Sequence, residues 1–284
     1  MRVTRYGEVD AFLEQARPFL EAREAEHNLI LGLSSQLRRD PRMFGEDPYL
    51  GVVEEDGDVR GVVFRTPPHN LILSELDNAR AIEPIVAAVR DEFASLPGVV
   101  GPKQRVAQFA AAWEAATGAK GRLELAQRTF RVDRVEPPHG VPGRMRAYGP
   151  SDRELACRWM DAFTAEALPE SAPHPQSSEE FVDRRDEDPD GGLVLWEDGE
   201  VVSLAGYGGP TPNGIRIGPV YTPPERRGRG YGSAITAALT QQLLDGGRRF
   251  CFLFTDLANP TSNSIYQRIG YRPVSDVDMW AFTS

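Results

Sequence analysis

Two stretches of the chain are built alike, "YLGVVEEDGDVRGVVFR" (residues 49–65) and "GLVLWEDGEVVSLAGY" (residues 192–207). Each sets two apolar, β-branched runs around an Asp-Gly pair, the pattern of a hairpin closed by a tight turn. The likeness extends to both sides. Ahead of the first lie a strand, "VTRYG", and a helical stretch, "DAFLEQARPFLEAREAEHNLILGLSSQL", with a break expected near Pro18. Ahead of the second lie "GRMRAYG", a helix capped by Ser151 with Leu155, Trp159, Phe163 and Leu168 on one face, and a shorter helix in "EEFVDRRDEDP".

Behind each hairpin comes a strand ("NLILSEL"; "GIRIGPVY") and a helix ("IEPIVAAVRDEFASL"; the run up to Leu244). A buried apolar strand follows ("GVVGP"; "FCFLF"), then another helix ("RVAQFAAAWEAATG"; "NPTSNSIYQRIG"). The first copy closes with the strand "LELAQRTFRVDRV", the second with a strand pair in "YRPVSDVDMWAF". The fold class is therefore α/β (mixed α+β), two tandem copies of one plan, each a mostly antiparallel sheet flanked by helices. The proline- and glycine-rich "VDRVEPPHGVPGR" divides them, giving domains at 1–135 and 143–284 with a linker at 136–142.

The copies differ at one place. Ahead of its third helix the second copy carries "YTPPERRGRGYGSAI" (residues 221–235), where the first has "SELDNARAIEP" and no glycine. Glycines let a ligand approach backbone N–H groups, and a helix N-terminus adds unpaired donors and partial positive charge. With Arg226, Arg227 and Arg229 alongside, the segment reads as an anion site suited to phosphate. It is not a Walker loop, which ends in Gly-Lys-Ser/Thr; the only lysines are Lys103 and Lys120. Nor is it a dinucleotide fingerprint, since the spacing is G-x-G-x-G and it follows an antiparallel hairpin.

Composition narrows the partners. A formal charge of −10 argues against nucleic acid and anionic membranes, and fits a basic or neutral substrate weakly. No run of about 18 apolar residues occurs, and the start lacks a secretory h-region, so a cytoplasmic location is expected. Cys157 and Cys251 read as buried free thiols. His27, His69, His139 and His174 are scattered without a metal-ligand pair, so no metal is expected.

Arg227-Gly228-Arg229-Gly230-Tyr231-Gly232 fits R/Q-x-x-G-x-G/A, and "LANPTSNSIYQRIGYRPV" carries Asn-x-x-Tyr followed by Gly-Tyr. Together, at this separation and in this element order, residues 143–284 resemble the GCN5-related N-acetyltransferases, and the first half resembles the same fold with its cofactor loop missing. The resemblance implies transfer of an acetyl group from acetyl-CoA to a primary amine of a small molecule or peptide, by direct attack in a ternary complex. It implies that Arg227, Gly228, Arg229, Gly230, Tyr231, Gly232 and Ser233 hold the pyrophosphate. The pantetheine arm would pair with Val220, Tyr221 and Thr222, with the Val220 N–H polarising the thioester carbonyl. Pro219, which cannot donate to a ladder, is where a sheet gap is expected.

Asn259 fits an N-cap and Pro260 a first-turn residue. Asn263 and Tyr266, three apart, share one helix face, while Ile265 and Ile269 share an inward one. By resemblance Asn259 and Asn263 bind the cofactor and Tyr266 returns a proton to the leaving thiolate. A phenol that titrates near pH 10 can do so at neutrality. Glu166, Glu225, Asp256 or a water chain could serve as general base, and His174 lies where substrate-binding segments occur in the family. The other class left open is a non-catalytic acyl-CoA sensor or interaction protein. Acceptor identity and oligomeric state are not legible.

Overall fold

The computed structural model describes residues 1–167 and 177–283. By contacts these form two compact units, residues 1–127 with 275–283, and residues 128–167 with 177–274. The division does not fall at the proline-rich stretch 136–142. It falls inside two strands, Lys120–Val132 and Arg272–Thr283, and residues 275–283, read above as the end of the second copy, belong to the first unit.

The first unit runs β1 (Arg2–Tyr6), α1 (Val9–Glu21), α2 (Asn28–Arg39), β2 (Tyr49–Glu55), β3 (Asp58–Arg65), β4 (Leu71–Leu73), α3 (Ile82–Glu92), β5 (Gly98–Pro102) and α4 (Lys103–Thr117). β6 (Lys120–Val132) follows and carries the division. β1 to β4 pair antiparallel in order, β4 lies parallel to β5, and residues 277–281 of the last strand, β12 (Arg272–Thr283), pair antiparallel with β5. The β2–β3 turn has both Asp56 and Gly57 at positive φ (55° and 88°), the hairpin turn that Asp-Gly encodes.

One face packs Phe12, Leu13, Leu20, Ile30 and Leu37 of α1 and α2 against Leu50, Val52, Val62 and Phe64. The other packs α3 and α4, with Ile85, Val89, Phe109 and Trp113, and takes in Trp280 and Phe282. The long helical stretch breaks at residues 22–27, not at Pro18, which lies inside α1. Burial of Leu20, beyond the proline, carries the helix past the lost hydrogen bond. His27, stacked on Phe19, sits at the break. Its Nδ1 faces the Leu20 carbonyl at 3.0 Å and its Nε2 accepts the Glu75 N–H at 3.3 Å. Only the neutral ring protonated on Nδ1 satisfies both, and burial lowers its pKa below the usual value.

The second unit runs β7 (Arg144–Ala147), α5 (Arg153–Ala167), α6 (Ser178–Glu187), β8 (Gly192–Asp198), β9 (Glu200–Gly208), β10 (Gly214–Tyr221), α7 (Tyr231–Asp245), β11 (Phe250–Asp256) and α8 (Pro260–Arg268). β7 to β10 pair antiparallel in order, β10 starts parallel to β11, and the end of β6 lies next to β11. Val194, Trp196, Ile215 and Ile217 face α7, packing with Ala234, Ile235 and Leu239. Leu193, Leu195 and Leu204 face α5 and α6, packing with Ala156, Met160 and Val182. Trp159 and Phe163, expected on the inner face of α5, pack only partly, and Leu168 lies outside the described residues.

Ser151 is not the cap of α5. A short 3-10 turn, Pro150–Asp152, precedes the helix, and the Asp152 carboxylate accepts the Gly149 N–H. Arg146 donates two bonds to Asp152, at 2.7 and 2.8 Å, and one to Glu197 at 2.9 Å, tying β7, the start of α5 and β8 together. Arg146 also holds the Asp152 carboxyl below the usual range. The expected closing strand pair is one twelve-residue strand, β12. Alternation through Val274, Asp276 and Asp278 fits a continuous strand, and Ser275-Asp276 lacks the glycine of a two-residue turn.

Candidate active site

The glycine segment leads into α7. Gly228 and Gly230 stand at φ +77° and +86°, the left-handed region, and Gly230 is the N-cap. Gly232 is inside the helix. The first helical hydrogen bond runs from the Ala234 N–H to the Gly230 carbonyl. Among the described residues, the backbone N–H groups from Gly228 to Ser233 therefore have no acceptor: a row of donors at the positive end of a fifteen-residue helix. Tyr231 contributes only backbone here, for its ring is 3% exposed in the core and its hydroxyl donates to Asp198 at 2.6 Å. Ser233 is buried as well. Arg229 is exposed and lies beside the Tyr231 hydroxyl, and Arg226 pairs with Glu200.

β10 comes apart from β11 just before this loop. The parallel pairing covers Gly214, Ile215 and Arg216 and goes no further, while β10 stays paired to β9 through Val220 and Tyr221. The β9–β10 register shifts between Ile217 and Val220, at Gly218-Pro219. The gap expected at Pro219 is present. In the first unit the corresponding strands run close: a Cβ placed on Gly101 of β5 would stand 2.6 Å from the Leu73 carbonyl oxygen of β4.

α8, which follows β11, begins as expected: Asn259 accepts the Ser262 N–H at 3.0 Å, and Pro260 is the first residue. Ile269 is buried and Ile265 partly so. The Asn263 side chain is fully engaged with protein. It donates to the Asp256 and Asn259 carbonyls at 3.0 and 2.9 Å and accepts from Thr255, which fastens α8 to the end of β11. Tyr266 packs against the α7-side core and edge-on to Tyr271, and among the described residues no group bonds its hydroxyl. Burial pushes that hydroxyl up to about 12. Beside α8 opens a depression of about 600 Å³ lined by Arg128, Leu257, Asn263, Gln267 and Arg268, among others.

Of the three carboxylates, Glu166 alone touches the loop and β10. Arg227 donates to it at 2.6 Å, Tyr221 Oη donates at 3.4 Å, and Arg227 Nε also bonds the Thr222 carbonyl at 2.8 Å. Arg227 further lies over the Tyr221 ring. Asp256 accepts the Ala258 N–H in its own turn, and Glu225 is exposed in the 3-10 turn Pro224–Arg226. His174 lies outside the described residues. Cys251 is buried and Cys157 only partly, and both are free thiols. Among the described residues, no group of histidine, cysteine and carboxylates is placed to hold a metal, and no helix is long and apolar enough to cross a membrane.

Sequence reasoning missed Arg216. It sits between Ile215 and Ile217 on a strand covered by helices on both faces, and among the described residues its guanidinium has no partner. The signal was an arginine in a strand with buried neighbours on both sides.

Residues 158–271 match the model of the Acetyltransferase (GNAT) family. No curated protein matches the chain. Among solved structures, a Drosophila protein superposes with a TM-score of 0.69 at 11% identity, covering 99% of this chain and 98% of its own. A tandem GNAT protein from the clavulanic acid biosynthesis pathway, solved without AcCoA, gives 0.56 at 12% identity, covering 98% and 97%. A GCN5-related N-acetyltransferase from Kribbella flavida gives 0.54 at 19% identity, covering 79% and 87%. At these identities the structures establish a shared fold.

Proposed function

We propose, from the match of residues 158–271 to the model of the Acetyltransferase (GNAT) family, that the protein is an N-acetyltransferase using acetyl-CoA and a primary amine. The observation that carries the reading is the row of unaccepted N–H groups from Gly228 to Ser233, beside a strand that has parted from its neighbour. The row suits a pyrophosphate, and the gap beyond Arg216 leaves Val220, Tyr221 and Thr222 beside an opening for an extended arm. Bound acetyl-CoA supplies the acyl group as a thioester.

The protein's own part is small. The Val220 N–H polarises the thioester carbonyl, and Tyr266 keeps its proton at neutral pH for the departing thiolate. Asn263 acts by position, holding the turn of α8 that presents Tyr266. Glu166 is the carboxylate favoured as general base, because it alone meets the proposed cofactor strand and loop. The acceptor amine must arrive neutral or lose its proton there. The first unit, without the glycine loop and with β4 and β5 close at Gly101, is assigned no cofactor.

Calorimetric titration with acetyl-CoA tests this reading, with about one equivalent expected by ordinary single-site logic. Binding of two equivalents, or of none, removes it. Thiol release across a panel of amines separates enzyme from sensor: tight binding with no release on any amine identifies an acyl-CoA sensor.

A further inference from the structure

Resting on that reading, we infer that Arg216 and Arg185 form the acceptor subsite and that the acceptor amine carries a carboxylate or phosphate. Arg216 leaves β10 on the face covered by α5 and α6, opposite to Ile215 and Ile217, which face α7. It is the last β10 residue paired to β11, so the gap opens immediately beyond it. At ~3.3 Å per residue its Cα lies within about 13 Å of Val220 along the strand.

Its cross-strand partner is Gly208. A Cβ there would stand 1.7 Å from Nη1 of Arg185, so Arg185 of α6 occupies the space a side chain would fill, beside Arg216. Arg185 donates to the Tyr207 carbonyl at 3.0 Å, lies over the Phe181 ring, and has Asp188 at 4.0 Å. Gly206, next on the same face, meets the Pro219 ring and the Gly218 carbonyl. Toward the β10 irregularity this face of β9 therefore carries glycine, flanked by Pro219 and Leu193.

Arg185 has Asp188 only at the edge of ion-pair distance, and Arg216 bonds to nothing among the described residues. Arg216 is partly buried, so its charge is only partly hydrated, and a like charge beside it makes that state costlier. Burial and Arg185 lower Arg216 to about 10, so it stays charged at neutral pH. A structural arginine would have a carboxylate or carbonyl partner; this one has an open fork shaped for a planar or tetrahedral anion. The overall charge of −10 argues for a basic or neutral substrate, but the charge beside the gap is locally positive.

Matched acceptors test the inference: amino acids against their carboxamides, and amino alcohols against their phosphomonoesters, assayed by thiol release. Wild type should favour the anionic member by about ten- to a hundredfold in kcat/KM, and the favoured series tells carboxylate from phosphate. Arg216→Met should abolish the preference while leaving acetyl-CoA Kd and the rates with neutral amines unchanged, and Arg216→Lys should restore part of it. The Met variant should melt at or above wild type, since an unpaired charge is removed. Equal rates within each pair, or an Arg216→Met protein that melts below wild type, would overturn the assignment. If acetyl-CoA does not bind at all, the enzymatic reading falls separately. The subsite is then read by whether the preferred anionic amine raises the Tm of wild type and not of Arg216→Met.

Discussion

At the residue scale, the site turns on two side chains with opposite expected signatures. Tyr266→Phe removes one oxygen from a packed ring. It should lower kcat by about 10²–10⁴-fold with acetyl-CoA Kd unchanged. Because the hydroxyl is pushed up to about 12, its loss of a proton should leave no falling limb in the kcat profile below pH 10. A variant with unchanged kcat under rate-limiting chemistry makes Tyr266 a packing residue. Arg227 is different: its charge is already held by Glu166, each side chain about 45% exposed. Arg227→Ala should raise the Kd for acetyl-CoA about ten- to a hundredfold. Glu166→Gln should tighten it, by less than about fivefold because an exposed pair is screened, while lowering kcat if Glu166 is the base. Tyr266 was legible as a motif residue. The Glu166–Arg227 pair was not, because 61 residues separate them and only the packing of α5 beside β10 brings them together.

At the scale of elements, the Asp-Gly hairpins, the buried strands and the capped helix at Asn259 were readable because each depends on neighbours in sequence. The irregularity at Pro219 was readable for the same reason. The single span of β12 and the 3-10 turn that Asp152 closes ahead of α5 were misread, since pairing partners and side-chain reach decide them. The loop glycines offer a test of local reasoning. Gly228 and Gly232 look alike in sequence, yet only Gly228 is left-handed. Gly228→Ala has open space for its Cβ and should cost about 1 kcal/mol through backbone strain alone. Gly232→Ala, in a helix, should stabilise the apo protein by up to about 1 kcal/mol. Thermal denaturation without ligand should therefore move in opposite directions for the two. Shifts of the same sign would show that α7 does not begin where described.

At the scale of the whole molecule, the doubling of the plan was legible and its division was not. A linker rich in proline marks where the chain turns, whereas a compact unit is defined by contacts made at any sequence distance. Global stability should depend on His27 in a definite window. The unfolded ring titrates near 6.5, and burial holds the folded one lower. Below about pH 6.5 the unfolded chain therefore binds a proton that the folded chain refuses. Stability falls with pH at up to about 1.36 kcal/mol per unit until the folded value is reached, and is flat above pH 7. Denaturant titrations between pH 8 and 5.5 should show this slope in wild type and lose it in His27→Gln, whose amide can serve both hydrogen-bond partners. An unchanged slope in the variant assigns it to another group. The antiparallel pairing of β12 with β5 has a further consequence for synthesis. Residues 275–283 leave the ribosome after nearly all of the second unit, so the half made first is closed last. Until Trp280 and Phe282 arrive, its α3–α4 core lacks two aromatic rings and β5 has an open edge. The nascent first unit must wait through the folding of the second, and that waiting form is the one a chaperone or a protease would meet.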